Sequence, residues 1–228
     1  MVLGTLALSI MTLLPEDAFM TWGWRVPFIL SALLVLFGLW IRKGIDETPS
    51  FKEVQAKGEI PKLPIVETLK THWREVLISI GAKVVETAPF YIFDTFVVSY
   101  ATSNLGFKNT TVLMAVMVAT IITTILIPIM GSLSDRVGRK PLYVFGSIGM
   151  ILYAFPYFWL IHQGSVILLT IATIIGLGII WAPITAVLGT MFSEIFSAEV
   201  RYTGVSLGYQ IGAALAGGTA PLVATALL

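Results

Sequence analysis

Three charged side chains lie inside one otherwise apolar stretch of this chain. Lys83, Glu86 and Asp94 fall between Val76 and Ser103. A charge at the centre of a membrane-spanning helix costs about 2.5–3.5 kcal/mol on insertion scales, so such charges normally face a bundle interior or a water-filled cavity. On a helical wheel Lys83 and Asp94 lie about 20° apart, with Glu86 about 60° to the other side. The spacing therefore predicts a helix with one polar face.

This polar face admits two interpretations. In the first, it forms a wall of a substrate or proton pathway, in which Lys83 attracts an anion and Glu86 or Asp94 exchanges a proton. In the second, Lys83 and Glu86 are three residues apart and form a structural ion pair that neutralises itself. We favour the pathway for the face as a whole.

The composition is that of a membrane protein. Hydrophobic residues make up 57% of the 228 residues, and charged residues only 12%. A soluble domain carries about twice that charged fraction. Apolar runs of roughly 20 residues recur, which is typical of membrane-spanning helices. The sequence shows no series of ~10-residue segments of alternating polarity, the pattern of a transmembrane barrel. The predicted fold class is an all-α, multi-pass membrane protein.

The apolar runs predict seven spans. Their approximate limits are residues 1–14, 26–41, 76–103, 111–133, 142–161, 166–192 and 202–228. Each of the last five contains a proline, and these prolines are predicted to place a break in each helix: Pro89, Pro128, Pro156, Pro183 and Pro221. Broken membrane helices free backbone groups that can line a cavity and bend during transport.

Residues 42–75 form the longest polar stretch. Within it, Ile65, Val66, Leu69 and Trp73 recur at helical spacing after Pro64. This pattern predicts an amphipathic helix on the membrane surface that leads into the third span. Residues 44–62 are predicted to be a plain solvated linker.

Small residues repeat every four positions in the last span, at Gly204, Gly208, Gly212 and Ala216. This spacing lets a neighbouring helix approach closely. The stripe is either a sliding surface or simple tight packing, and we favour packing. Gln210 in the same span contacts either the substrate or a neighbouring helix.

The basic residues predict the orientation. Cytoplasmic loops of membrane proteins carry an excess of Lys and Arg. If the 42–75 stretch is cytoplasmic, the alternate loops 134–140 and 194–201 are cytoplasmic too. The 42–75 stretch holds seven of the fourteen basic residues, and the other two loops hold four more: Arg136, Arg139, Lys140 and Arg201. Together the three segments therefore hold eleven of the fourteen. The expected location is the inner (cytoplasmic) membrane.

Positive signs of an enzyme are absent from the sequence. It contains no GxxxxGK[ST], no GxGxxG after a strand and no HExxH, and no Ser/His/Asp set can be assembled. The chain has no cysteine, which excludes a thiolate metal site, and its two histidines, His72 and His162, are far apart. We therefore expect neither enzymatic activity nor a metal or other cofactor.

A ten-residue polar hinge joins the fourth and fifth spans. Its pattern, Gly131-x-x-x-Asp135-Arg136-x-Gly138-Arg139-Lys140, resembles the signature loop of the major facilitator superfamily. Three further segments match that family in order: Trp22 to Phe28, Asp46 to Phe51, and Glu194 to Tyr209. The residues of these segments are most similar to those of the metabolite:proton symporter branch. That branch includes transporters of proline and betaine, 2-oxoglutarate, citrate and shikimate. Lys83 to Tyr91 also looks like the seventh helix of that branch, although Thr87 replaces the usual Asn and Asp94 stands where a neutral residue is expected.

The resemblance maps the chain to the fifth through eleventh of twelve helices. It implies a partial fold of that family, in which residues 1–41 end the N-terminal half, 42–75 form the central cytoplasmic loop, and 76–228 hold five helices of the C-terminal half. The expected partners are a small-molecule substrate, the lipid bilayer and the missing helices of a longer parent chain. We expect no nucleic acid partner and a monomer when complete.

The implied function is proton-coupled symport of a small polar metabolite, an organic acid or a zwitterionic osmolyte, by alternating access. The alternatives are a sugar-porter-like or facilitative member of the same family, or a non-transporting sensor or scaffold on the same fold. The resemblance and the polar face together point to substrate or proton pathway residues at Lys83, Glu86, Tyr91, Asp94 and Gln210.

The resemblance also implies a cytoplasmic latch. In it Asp135 bonds to Arg139, Arg136 or Arg139 pairs with Glu194, and Glu194 bridges to Arg201. The network would close the cytoplasmic side and break when the site opens inward. The alternative for the hinge is a passive turn whose charges only set the topology.

Overall fold

The computed structural model describes residues 6–7, 10–11, 14–44 and 64–227. Every regular element within these ranges is helical, which confirms the all-α class. The chain divides into two compact units, Met1–Glu53 and Val54–Leu228. Residues 45–62 of the predicted linker 44–62 and most of the first predicted span lie outside the described residues.

The first unit contains a short helix, α1 (Glu16–Thr21), a 3-10 turn (Gly23–Arg25) and α2 (Val26–Lys43). Pro27 lies in the first turn of α2. Its fixed φ suits a helix start, and nothing is lost with its N–H because the N–H groups of a first turn have no intrahelical acceptor. The guanidinium of Arg25 donates to the carbonyl of Thr21 and lies 4.4 Å from the centre of the Trp24 ring. The large apolar side chains of α2 are exposed, as expected for a span.

The described part of the second unit begins with the short helix α3 (Pro64–Thr71) and continues in five long helical stretches. The first stretch comprises α4 (Trp73–Tyr91), a π-helical segment (Ile92–Phe96) and α5 (Val97–Ser103). The second and third are α6 (Asn109–Val137) and α7 (Arg139–Ile161). The fourth comprises α8 (Val166–Thr173), a second π-helical segment (Ile174–Ile180) and α9 (Trp181–Ile195). The fifth is α10 (Arg201–Ala226).

Five helical stretches of the described residues are long and apolar enough to cross a membrane: Gly23–Lys43, Trp73–Ser103, Asn109–Val137, Arg139–Ile161 and Val166–Ile195. They match the second to sixth predicted spans. The predicted seventh span is the continuous helix α10, whose 26 residues extend about 39 Å and exceed the ~30 Å hydrocarbon core. Its many small residues make it less apolar than the other five.

The core of the second unit is aromatic and aliphatic. Phe93, Phe96, Tyr157, Leu169 and Ile184 are each at most 5% exposed and lie in one contiguous cluster. The outer faces instead expose large apolar side chains such as Phe155 and Ile151. This distribution suits a bundle surrounded by lipid, because lipid does not penalise apolar surface as water does.

The two π-helical segments pack against each other. The Phe93 ring of the first contacts Gly176 of the second, where an added Cβ would lie 3.0 Å from the ring. A π turn leaves backbone groups that need new partners. One partner is the hydroxyl of Thr123 on α6, which donates to the carbonyl of Leu177 at 3.0 Å.

The predicted helix breaks at the prolines are wrong. Pro89, Pro128, Pro156 and Pro221 all lie inside helices that continue past them. Pro183 lies near the start of α9, which continues directly from the second π-helical segment. Membrane helices tolerate proline because local adjustments and neighbouring groups satisfy the freed carbonyls. The irregular geometry appears as π turns beside Pro89 and Pro183 instead.

The predicted amphipathic helix is present as α3. Ile65, Val66 and Leu69 are exposed on one side, whereas Thr68 is fully buried. His72 adopts a non-helical backbone (φ −121°, ψ 26°) and separates α3 from α4, so Trp73 begins the next helix. Its position on a membrane surface stays a prediction.

Candidate functional site

Lys83 and Glu86 form a buried ion pair on α4. Each residue is 5% exposed, and the Lys83 Nζ lies 2.6 Å from the Glu86 Oε2. Lys83 is the eleventh residue of a 31-residue helical stretch, about 15 Å along its axis. The pair is therefore well inside the helix stack and too deep for either side chain to reach an end of it.

Hydroxyl groups complete the environment of the Glu86 carboxylate. The Thr87 hydroxyl donates to Oε2 at 2.8 Å, and the Thr185 hydroxyl of α9 donates to Oε1 at 3.1 Å. The carboxylate therefore accepts three hydrogen bonds, one of them charge-assisted. Both carboxylate oxygens are therefore partnered, as buried polar groups normally are.

The backbone around Glu86 is also held by side chains from other helices. The indole N–H of Trp181 donates to the Glu86 carbonyl at 2.8 Å, and the Trp181 ring packs 5.1 Å from that of Phe90. From α7, the Tyr143 hydroxyl donates to the Ala82 carbonyl at 2.7 Å. These contacts fix the turn of α4 that carries the pair.

The small-residue stripe of α10 lets that helix pack directly on α4. An added Cβ at Gly212 would lie 2.6 Å from the Cβ of Lys83, and one at Gly208 would lie 2.5 Å from the Cβ of Ser79. Gly204 packs on the ring of Phe196 in the same way. Close approach brings the Tyr209 ring to 3.7 Å from the Lys83 Nζ, within cation–π distance. The contacts are those of tight packing; sliding stays untested.

Three of the residues predicted to line the substrate or proton pathway do not join this cluster. Asp94 lies in the first π-helical segment, about 16 Å along the axis from Lys83, and forms no ion pair with any described residue. Tyr91 is half-buried and packs against Gly217. Gln210 is exposed.

Sequence reasoning missed Thr185, Trp181 and Tyr209, and it noted Thr87 only as a departure from a motif. Tyr209 directly follows Gly208 of the small-residue stripe, which is a usable signal. Thr185 and Trp181 carry no comparable signal, because they are about 100 positions from Glu86 and only helix packing brings them near it.

The predicted hinge 131–140 is mostly helical, which corrects its interpretation as a loop. Helix α6 continues to Val137 and α7 begins at Arg139, so Gly138 alone separates them. Gly138 has a φ of +92°, a conformation that glycine adopts without the strain of a side chain. The 29 residues of α6 are about 43 Å long, which exceeds a ~30 Å hydrocarbon core. The polar residues at its end can therefore lie outside the hydrocarbon core and still be helical.

Arg139, at the start of α7, forms ion pairs with the end of α6 and with the end of α9. Its guanidinium lies 3.5 Å from the Asp135 carboxylate, one turn back, and also forms an ion pair with Glu194. Both contacts are among those predicted. Gly131 is half-buried and accepts a hydrogen bond from the Ser134 hydroxyl at 2.6 Å. Arg136 and Lys140 are exposed.

The predicted bridge from Glu194 to Arg201 is absent among the described ion pairs. The Arg201 Nε instead donates to the carbonyl of Phe196 at 3.3 Å. The segment between α9 and α10 turns there, so this carbonyl lacks a helical partner and attracts the cation. In the same segment, a hydrogen bond from the Ser197 hydroxyl lowers the pKa of Glu199.

A separate cavity of about 660 Å³ lies between the first π-helical segment, α7 and the end of α10. It is lined mainly by apolar groups, including Phe93, Phe96 and Phe158. At its polar edge the Tyr100 hydroxyl and the His162 Nε2 are 2.8 Å apart. Neither Lys83 nor Glu86 lines it, so it is not part of the ion-pair site.

The sequence is similar to a known family and to several characterised proteins. Residues 2–224 match the family model described as Major Facilitator Superfamily. The "Shikimate transporter" of Escherichia coli is 32% identical, over 100% of this chain and 53% of the relative. The "Proline/betaine transporter" of Salmonella typhimurium is 32% identical, over 94% and 45%. The "Inner membrane metabolite transport protein YhjE" of Escherichia coli is 33% identical, over 93% and 49%.

This chain spans about half the length of the curated relatives that it matches. No solved structure matches it significantly. The family model nevertheless covers almost the whole chain, and the helical membrane architecture agrees with it. The chain belongs to the Major Facilitator Superfamily.

Proposed function

We propose that this chain is part of a secondary transporter that carries a small polar metabolite, together with protons, across the cytoplasmic membrane by alternating access. The observation that carries the proposal is the buried Lys83–Glu86 pair, held by groups from α4, α9 and α10. Ionisable residues inside membrane helices are costly to keep, and they commonly mark substrate or proton pathways. The names of the relatives, with shikimate, proline and betaine as their substrates, agree with an organic acid or a zwitterion.

The test is uptake by the intact gene product, with any flanking sequence that its gene encodes. The protein is reconstituted in proteoliposomes, and radiolabelled shikimate, proline and glycine betaine are supplied with and without an inward proton gradient. We expect the gradient to drive accumulation of at least one compound. Uptake that ignores the gradient would contradict proton coupling, and no uptake of any compound would contradict the proposed function.

Glu86 is the proposed proton carrier. The Glu86→Gln variant should lose pH-driven accumulation and retain counterflow exchange, because the amide preserves the shape of the carboxyl group but takes up no proton. Glu67→Gln is the matched control, since Glu67 is an exposed glutamate on α3. Persistent accumulation in Glu86→Gln would exclude this role.

The hinge cluster is proposed to act as a latch on the cytoplasmic side. Asp135, Arg139 and Glu194 join the end of α6, the start of α7 and the end of α9. Asp135→Asn should reduce uptake at normal surface expression, because it removes one charge that holds these ends together. Unchanged uptake would leave the hinge as a passive turn.

The orientation can be tested by cysteine labelling, since this chain has no cysteine of its own. Ser132 near the hinge and Gln163 in the opposite loop are both exposed. If the hinge is cytoplasmic, a membrane-impermeant maleimide should label Gln163→Cys in intact cells, and Ser132→Cys only after permeabilisation. The reverse pattern would overturn the orientation.

A further inference from the structure

The Lys83 ammonium is already occupied in this structure. The Glu86 carboxylate contacts it at 2.6 Å, and the Tyr209 ring covers it at 3.7 Å. Gly212 brings α10 onto the Lys83 side chain as well. A second anion can therefore reach Lys83 only if Glu86 gives up its position.

The charge balance of the cluster constrains that exchange. Lys83 and Glu86 together are neutral, and both are buried. An added carboxylate would leave the cluster with a net negative charge away from water, which is strongly unfavourable. A proton taken up at the same time restores neutrality, so the anion and the proton favour each other's binding.

Glu86 is the natural site for that proton. Its titratable neighbours are Lys83 on the same helix and Tyr143 on α7, which is close enough to interact electrostatically with Glu86. Tyr209 on α10 contacts the Lys83 ammonium. The Tyr143 hydroxyl is committed to the Ala82 carbonyl. From α9 the contacts come from Thr185 and Trp181, which do not titrate. Asp94 is about 12 Å farther along the axis.

The two threonines allow Glu86 to remain satisfied in both protonation states. A hydroxyl can donate to a carboxylate or accept from a protonated carboxyl group. Thr87 and Thr185 lie on opposite oxygens of Glu86. When Lys83 leaves, a protonated Glu86 can still hydrogen-bond to one threonine as donor and to the other as acceptor.

We propose that the substrate carries a carboxylate group that replaces Glu86 at the Lys83 ammonium, and that the displaced Glu86 takes up a proton. This inference rests on the proposed function and names its substrate class and coupling step. An organic acid brings both the carboxylate and the net negative charge that the proton balances, whereas a zwitterion carries its own positive charge and would need no proton at Glu86. The charge balance therefore favours an organic acid. The ion pair then acts as an internal competitor that is released only when carboxylate and proton bind together.

The test uses the purified intact gene product in detergent, with shikimate, proline, glycine betaine and the methyl ester of each as probes. Ligand binding is measured by calorimetry, and proton uptake by a pH indicator in weak buffer. For the probe that binds, we expect the carboxylate to bind about 10- to 100-fold more tightly than its ester. Binding of shikimate, the net anion among the three, should take up about one proton per molecule. These wild-type measurements do not depend on the folding of any variant.

Two variants separate the partners. Glu86→Gln should keep the preference for the carboxylate, take up no proton, and bind independently of pH between about pH 5.5 and 8. Lys83→Met should lose the preference, so that acid and ester bind about equally. Equal binding of acid and ester to the wild type, or binding of shikimate without proton uptake, would overturn the inference while leaving gradient-driven uptake intact. Absence of uptake of every probe in proteoliposomes would overturn the proposed function and this inference together.

Discussion

The second unit contains two ion-pair clusters whose surroundings differ. Lys83 and Glu86 are both about 5% exposed and lie between packed helices. In the hinge cluster, the side chain of Arg139 is 30% exposed and those of Asp135 and Glu194 are 70% and 55% exposed. The same chemical groups should therefore contribute very differently to stability. A buried pair is costly to break, whereas water and salt screen an exposed pair.

The difference also bears on function. Exposed pairs form and break at little cost, which is what the proposed latch requires. A buried pair changes partners only when another charge replaces the one that leaves. The difference agrees with the latch proposed for the hinge cluster and with the coupling role proposed for the Lys83–Glu86 pair.

The largest expected effect follows from breaking the buried pair on one side only. Glu86→Leu leaves the Lys83 ammonium without its carboxylate and should lower the free energy of unfolding by about 3–5 kcal/mol. The double variant Lys83→Met/Glu86→Leu should recover most of that loss, because no unpaired charge remains. Unfolding in detergent measures both. Equal stability of the single and double variants would contradict the buried-charge explanation.

A smaller loss is expected when α10 is pushed away from α4. In Gly212→Ala the added Cβ would lie 2.6 Å from the Lys83 Cβ and 2.8 Å from the Ile80 carbonyl oxygen. Overpacking of this kind costs about 1–3 kcal/mol. Gly218→Ala on the same helix is the control, since an added Cβ there meets nothing within 4 Å. If thermal unfolding in detergent cannot tell the two variants apart, the helices are not in close contact at Gly212.

The hinge should be sensitive to backbone conformation. Gly138→Ala places a side chain at a φ of +92° and should cost about 1–2 kcal/mol. The matched control is Gly131→Ala seven residues earlier, which lies inside α6 with nothing within 4 Å of its added Cβ. That change should be neutral or stabilising, because alanine favours helix more than glycine does. The free energy of unfolding of each variant gives the comparison, and a stabilising Gly138→Ala would contradict the hinge geometry.

The smallest effect is expected for the exposed ion pairs. Glu194→Gln should lower the free energy of unfolding by about 0.2–1 kcal/mol, and less at high salt. The measurement is unfolding in detergent at low and high ionic strength. A loss as large as that of Glu86→Leu, or one that salt does not change, would remove the contrast between the two clusters.

The pattern of the amino-acid sequence alone determined much of the fold. Apolar runs identified the second to sixth spans to within a few residues, because a bilayer demands about 20 apolar residues in each helix. The helix ends were less well predicted: the polar residues from Gly131 to Val137 read as a loop, yet they are helical. A helix can extend beyond the bilayer, and polarity marks the membrane boundary rather than the end of the helix.

The candidate site was only partly within reach of the sequence. Lys83 and Glu86 stand out because charges are rare in apolar helices, and the spacing of three predicts their contact. The same wheel wrongly grouped Asp94 with them. The π turn between Ile92 and Phe96 and the distance along the axis both separate Asp94 from the pair, and a wheel projection shows neither.

The tertiary structure decided which groups surround the pair and how many of its hydrogen bonds are met. Thr185, Trp181 and Tyr209 come from helices about 100 or more residues away, and their side chains reach α4 because Gly208 and Gly212 let α10 approach and α9 packs alongside. The composition and residue spacing of a single helix were enough to predict that Lys83 and Glu86 are charged groups inside a span. Packing acts between helices, and it decided that Lys83 is already occupied.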